Sequence, residues 1–234
     1  MTARQKPLVS VVTAVYNGED FLEEALQSLF AQDYEPFESI VVDDGSSDRS
    51  GDIAQSFPVR YVRQENAGAA AARNVGIGLA TGQYVTFLDA DDVLPPNKLT
   101  LQASHLMDNP NVGCVVGRQE IRFEGVEPPE WLKRDPVYGD VEGIPLLAAM
   151  LTREALETVG GFDPTFGFAE DRDLFVRLRE AGIEIAVLAE IVLYRRFHGE
   201  NQNFKPPAEV PLFRSLKAKL DRTREASDSI GGTS

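Results

Sequence analysis

Cysteine is almost missing from this chain. Cys114 is the only one in 234 residues, so no intrachain disulfide can brace the fold, and its setting in the apolar run Val112 to Val116 reads as a small core residue. Histidine is scarce too: there are two, and His105 falls inside an amphipathic helical stretch, where a structural role suffices. Basic residues are outnumbered, 23 against 37 acidic, for a formal charge of −14. That argues against a nucleic-acid binder, which needs a basic face to neutralise phosphates, and it disfavours adsorption on anionic membranes. No apolar run approaches the roughly 18 residues of a membrane span, and the first residues lack a signal-peptide core. A soluble cytoplasmic protein without a transmembrane segment is expected. The length suits one α/β domain with a substantial core.

What is present begins with an alternation of strands and helices. Leu8 to Val15 is nearly all apolar, as a strand buried on both faces should be. Asn17 is placed to cap a helix with apolar positions at Phe21, Leu22, Ala25, Leu26, Leu29 and Phe30. Strands follow at Ser39 to Val42, Val59 to Val62, Tyr84 to Leu88 and Val112 to Val116, separated by helices through Ile53, over Ala67 to Ala80 and over Leu99 to Met107. This order implies a mostly parallel central sheet with right-handed crossovers and flanking helices. The second half is less regular. Glu124 to Gly143 reads as a long Pro-containing loop around Trp131, and Gly160 to Pro164 as a turn. Glu170 to Ala181 reads as a helix and Ile185 to Phe197 as one or two strands. Lys205-Pro206-Pro207 marks a break, so residues 1–204 are taken as the domain and 205–234 as a C-terminal helix (Leu212 to Leu220) and a disordered tail.

In sheets of this kind ligands bind outside the carboxyl ends of the strands. Three strands deliver polar residues there: Tyr16-Asn17, Asp43-Asp44 and Asp89-Ala90-Asp91-Asp92. Clustered carboxylates repel one another, and a divalent cation is the simplest relief. A D-x-D is weak as a motif, since a second occurs at Asp171 and Asp173. Its position at a strand end carries the information. Asp44 can hydrogen-bond a base or ribose edge, or can cap the next helix. Gly68 and the alanines around it permit close approach of a ligand or of another helix. Arg73 can reach a diphosphate or a strand-end carboxylate. Glu170-Asp171 favours a helix start on macrodipole grounds alone, and Asp171 is also suited to a general base. Arg195 and Arg196 would suit a diphosphate, and His198 could complete a metal site.

Taken together the motifs resemble a family 2 glycosyltransferase of the GT-A, Rossmann-like fold. The resemblance rests on Val9 to Asn17, Val41 to Asp48, Asn66-Ala67-Gly68 with Ala72-Arg73-Asn74, Phe87 to Asp92, Gly160 to Asp163, and Glu170 to Leu174. It spans roughly residues 7 to 203. It implies that Asp44 binds the nucleotide base over the backbone at Ala14, with Tyr16, Gly68, Arg73 and Asp89 also on the nucleotide sugar. Asp91, with Asp89 and His198, would hold Mg²⁺ or Mn²⁺, Asp171 would be the catalytic base, and Trp131 and Glu170 would face the acceptor. Ala14-Val15 stands where the family often has Pro-Thr, and the Q-x-x-R-W motif of processive synthases is absent.

The expected reaction is inverting, metal-dependent transfer of a single sugar. The donor would be a UDP-, GDP- or dTDP-sugar and the acceptor a hydroxyl, in a chain that can also form a homodimer. The alternatives are a non-catalytic nucleotide-sugar-binding protein on the same fold, and a sugar-1-phosphate nucleotidyltransferase. Tyr16-Asn17-Gly18-Glu19 is not the Gly-rich basic loop that the latter usually shows.

Overall fold

The computed structural model describes residues 5–127, 137–138 and 146–198. The parallel half of the fold comes first. β1 (Val9–Val15), β2 (Phe37–Asp43), β3 (Arg60–Arg63) and β4 (Tyr84–Asp89) pair in the order β3-β2-β1-β4, all parallel. Six of the seven β1 residues are buried, because helices cover both of its faces. α1 (Leu22–Phe30), α2 (Ser50–Gln55), α3 (Ala69–Leu79) and α4 (Lys98–Asp108) supply the crossovers. α3 packs directly on β1 and β2, and Gly76 makes this possible: a Cβ there would stand 2.2 Å from Val12 Cγ1.

The other half is mixed rather than parallel. β5 (Val112–Phe123) runs in the direction of β4, but β7 (Ala149–Thr152) lies between them and is antiparallel to both. β6 (Val137–Tyr138) pairs antiparallel with β5, and β8 (Glu184–Phe197) pairs parallel with it, completing an eight-stranded sheet. β5 continues seven residues beyond the Val116 end that its apolar run suggests. The added half, Arg118 to Phe123, is held by β8 across two register shifts on either side of Arg118, and bulges of this kind blur the alternation. α5 (Arg153–Val159) starts on Thr152, whose hydroxyl accepts from Ala155 N, and ends at Gly160 with φ +81°. α6 (Glu170–Glu180) then leads to β8.

One capping expectation is corrected. Asn17 does not cap α1, which begins five residues later. With φ +50°, Asn17 receives Ser47 N–H on Oδ1 and donates its own N–H to Ser46 Oγ, tying the loops after β1 and β2 together. Asp92 caps no helix. It is buried and accepts from the backbone N–H of Arg196 in β8. Among the described residues no helix is long and apolar enough to cross a membrane.

Candidate active site

Parallel register fixes what meets at the carboxyl edge. Ala14 pairs with Asp89 of β4, and Val15 with Asp43 of β2. A cavity of about 650 Å³ opens there. Its walls come from the loop after β1, from Asp44, from the Asn66–Ala70 approach to α3, from Asp89 to Asp92, from Glu170 at the start of α6, and from Arg195, Arg196 and His198 at the end of β8.

At one side, the two acids after β2 part company. Asp43 is turned into the protein: its oxygens accept from Ser46 N and from the Tyr61 hydroxyl. Asp44 lines the cavity and accepts from Gln64 Nε2 (2.7 Å), Ala67 N (2.9 Å) and Gly68 N (2.8 Å). Three donors on two carboxylate oxygens leave acceptor capacity for a ligand N–H. Gly68, with φ +90°, turns the chain so that both loop N–H groups reach Asp44. Tyr16 is 52 % exposed at the rim, an apolar ring that the fold leaves uncovered.

At the centre lie Asp89, Asp91 and Asp92, whose oxygens come within 4.8 Å of one another. Their surroundings differ. Asp89 is paired with Arg73 Nη2 at 2.7 Å. Asp91 Oδ2 faces His198 Nε2 at 3.3 Å, and the Phe21 ring backs that imidazole with a centroid separation of 4.3 Å. Burial, reinforced by the charge of Asp89, pushes the Asp91 carboxyl above its ordinary range. Burial pushes Asp92 higher still, with Asp91 and Asp89 adding to it. Hard oxygen donors with an imidazole beside them suit Mg²⁺ or Mn²⁺. The mutual repulsion is the strain that such an ion would relieve, so the residues fit the metal.

At the far side, Arg73 is 6 % exposed and bridges two elements: Nη2 holds Asp89, and Nη1 holds Glu170 Oε1 at 2.8 Å. Burial opposes its charge, but Asp89 and then Glu170 outweigh it and raise its pKa. The Phe162 ring lies under this guanidinium, 5.9 Å away, and meets Phe87 edge-on. Asn74 clasps the Phe162 backbone, accepting from its N–H (2.9 Å) and donating to its carbonyl (2.8 Å). Arg196 is anchored by Glu24 and Glu124 and lies over the Phe21 ring.

Nine of the expected site residues therefore line one cavity: Ala14, Tyr16, Asp44, Gly68, Arg73, Asp89, Asp91, Glu170 and His198. Asp171 is not among the lining residues. It is half-buried one residue beyond Glu170, its Oδ1 accepts from Arg172 N, and burial raises its carboxyl. Trp131 lies outside the described residues. The clasp by Asn74 and the anchoring of Arg196 by Glu24 were not foreseen, because they join residues far apart in the chain and leave no local pattern.

Comparison with known proteins bears on this geometry. The profile described as glycosyl transferase family 2 matches residues 10–162, ending before α6. An uncharacterized glycosyltransferase of Rickettsia prowazekii is 32 % identical over 82 % of this chain and 64 % of its own length. EpsJ of Bacillus subtilis, also an uncharacterized glycosyltransferase, is 44 % identical over 92 % of this chain and 69 % of its own. Against three other Rickettsia relatives the chain spans only about a third of their length, 36 % in one from Rickettsia felis. Among solved structures, residues 1–349 of S. aureus TarS in complex with UDP-GlcNAc superpose with TM-score 0.68 at 22 % identity, over 90 % of this chain and 64 % of that fragment. The mannosyltransferase PcManGT of Pyrobaculum calidifontis, in complex with GDP-Man and Mn²⁺, gives 0.64 at 22 % identity, over 92 % and 69 %. The fold is GT-A, and the chain belongs to glycosyltransferase family 2.

Proposed function

We propose that this chain moves a single sugar from a nucleoside-diphosphate sugar to an acceptor hydroxyl, with inversion and with the help of Mg²⁺ or Mn²⁺. The observation that carries the reading is the layout of the cavity: Asp44 with spare acceptor capacity at one side, a carboxylate cluster with metal-ligating capacity at the centre, and Glu170 beyond Arg73. The ligands seen in TarS and PcManGT are of this class. Family membership sets the nucleotidyltransferase alternative aside.

In this reading Asp44 accepts an N–H of the base above the Ala14 backbone, and Tyr16 covers the base's face. Gly68 lets the backbone approach the ribose and diphosphate. Asp91 and Asp89, with His198, hold the cation. When bound, that cation neutralises the diphosphate as it departs. Arg73 cannot lose its charge and so adds fixed positive potential where the leaving group forms.

Asp171 is the base that takes the acceptor hydroxyl's proton. Glu170 is a poorer choice, because one of its carboxylate oxygens is already held by Arg73, although burial raises its carboxyl as well. Among the described residues Asp171 accepts only a neighbouring N–H, and burial raises its proton affinity. Direct displacement by the activated hydroxyl inverts the anomeric carbon. Trp131 and its loop are assigned to the acceptor side.

The test is a thermal-shift panel of UDP, GDP and dTDP, each with Mn²⁺. One of them should raise Tm clearly, and Asp91→Asn should erase the metal-dependent part. No shift with any of the three would defeat the proposal. Asp171→Asn should keep donor binding and lose roughly 10²–10⁴ in turnover. A near-normal rate would remove Asp171 from its role, and donor hydrolysis by the unaltered protein would separate a transferase from a mere binder.

A further inference from the structure

Among the described residues three arginines line the cavity, and two of them are spent on the protein. Arg73 holds Asp89 and Glu170, and Arg196 holds Glu24 and Glu124. Arg195 differs from both. It is half-buried at the cavity wall and rests on the Phe197 ring, 5.5 Å from the guanidinium carbon. Among the described residues its guanidinium makes no hydrogen bond and no ion pair. A guanidinium carries five N–H donors and keeps its charge, so one that faces a cavity with none of the five used is suited to an anion brought by a ligand.

The direction of the side chain narrows which part of the ligand that is. Side chains alternate between the two faces of a strand. Arg196 lies over the Phe21 ring, and His198, two residues on, packs against the same ring. Arg195 and Phe197 therefore project from the opposite face of β8. In the reading proposed above, on which this step rests, the diphosphate and its cation lie with Asp91 and His198, on the Phe21 side. Arg195 is turned away from that side. Its charge works against burial at Asp171, the base of that reading, and also at Asp92, and it is ion-paired with neither.

We infer that Arg195 is an acceptor-binding residue, and that the acceptor carries a phosphate or carboxylate within reach of that guanidinium, beside the hydroxyl that receives the sugar. The guanidinium fork takes either group bidentately. Asp44, Asp89, Asp91, Asp92 and Glu170 line the same cavity, so an anionic acceptor needs this counter-charge and a neutral one does not.

The experiment is calorimetric binding to the protein saturated with Mn²⁺ and with whichever of UDP, GDP and dTDP binds most tightly, so that the place of the donor diphosphate is filled. Glucose, glucose 6-phosphate and glucuronate are then titrated in as minimal hydroxyl acceptors. The unaltered protein is compared with Arg195→Ala, Arg195→Gln and Arg195→Lys. At least one of the two anions should bind about tenfold or more tightly than glucose, the scale of a charge-assisted contact. Each neutral variant should erase that advantage and leave the nucleotide's own Kd within about twofold, while Arg195→Lys, which keeps the charge but not the fork, should retain part of it. An advantage that survives in the neutral variants overturns the inference, and so does the absence of any advantage in the unaltered protein. A weaker nucleotide Kd in the neutral variants at unchanged Tm also overturns it, because Arg195 would then belong to the donor diphosphate. Failure of every nucleotide to bind the unaltered protein is a different result, and would overturn the proposed function and this inference together.

Discussion

Lys98 carries a charge that the fold gives almost nothing to hold. It is fully buried on the first turn of α4, and its Nζ donates to one carbonyl, that of Leu147. Burial lowers its pKa to about 7, against 10.5 in the open chain. The folded state therefore binds fewer protons than the unfolded state between those values, and stability rises with pH across that window. Below about 7 the full penalty remains. Lys98→Met should raise stability near pH 7 by on the order of 1–2 kcal/mol after the lost hydrogen bond, and should flatten the rise from pH 7 to 10. Urea titrations across that range check it; a less stable variant would show that Nζ is needed where it is. No sequence pattern exposes this residue, since a lysine at a helix start reads as surface. Asp44 was legible for the opposite reason. It is the first residue past the buried strand β2, at the carboxyl edge where ligands bind, and it lines the same cavity as Asp89.

Helix α3 shows what an element's sequence reveals and conceals. Its alanines announce a helix close to where it lies, Ala69 to Leu79. They do not announce that its two glycines do opposite things. Gly76 is buried against Val12, whereas a Cβ on Gly78 would meet nothing within 4 Å. Gly76→Ala should destabilise by about 1–3 kcal/mol, because overpacking outweighs the gain in helix propensity. Gly78→Ala should stabilise by about 0.5–1 kcal/mol through that propensity alone. Denaturation midpoints at unchanged slope distinguish them, and equal effects would mean that α3 does not sit on β1 as described. Elements held by distant partners were harder to read. The second half of β5 mixes Arg118, Glu120 and Arg122 with apolar residues, and β8 across a bulged register, with β6 on its other side, makes it a strand. β7 is four residues long and reverses the sheet's direction between two parallel neighbours, which local periodicity does not encode.

Across the whole molecule the acids are treated differently at the two ends of the sheet. At the amino ends of β1, β2 and β4, Glu38 accepts from the Ser10 hydroxyl (2.6 Å), from Thr81 through both its N–H and its hydroxyl, and from Gly82 N–H. Partial burial works against its charge, but these donors prevail and hold its carboxyl below the ordinary range. Because the folded pKa is depressed, the stabilisation exists above the unfolded value and is lost as pH falls through the folded one. In the carboxylate cluster that follows β4 the sign reverses: burial and mutual repulsion raise Asp92, which receives one backbone N–H. Donors gather where the fold is stapled and are withheld where a cation is expected, so a substitution removing charge should have opposite effects at the two poles. Glu38→Gln should lower Tm at pH 7 by a few degrees and leave the Mn²⁺-dependent shift intact. Asp92→Asn keeps an acceptor for Arg196 N–H, so it should raise Tm of the metal-free protein and shrink the further gain on adding Mn²⁺, since less repulsion is left to relieve. Thermal melts with and without Mn²⁺ measure both. If Asp92→Asn lowers Tm without metal, the cluster is not strained, and the physical case for a cation there fails.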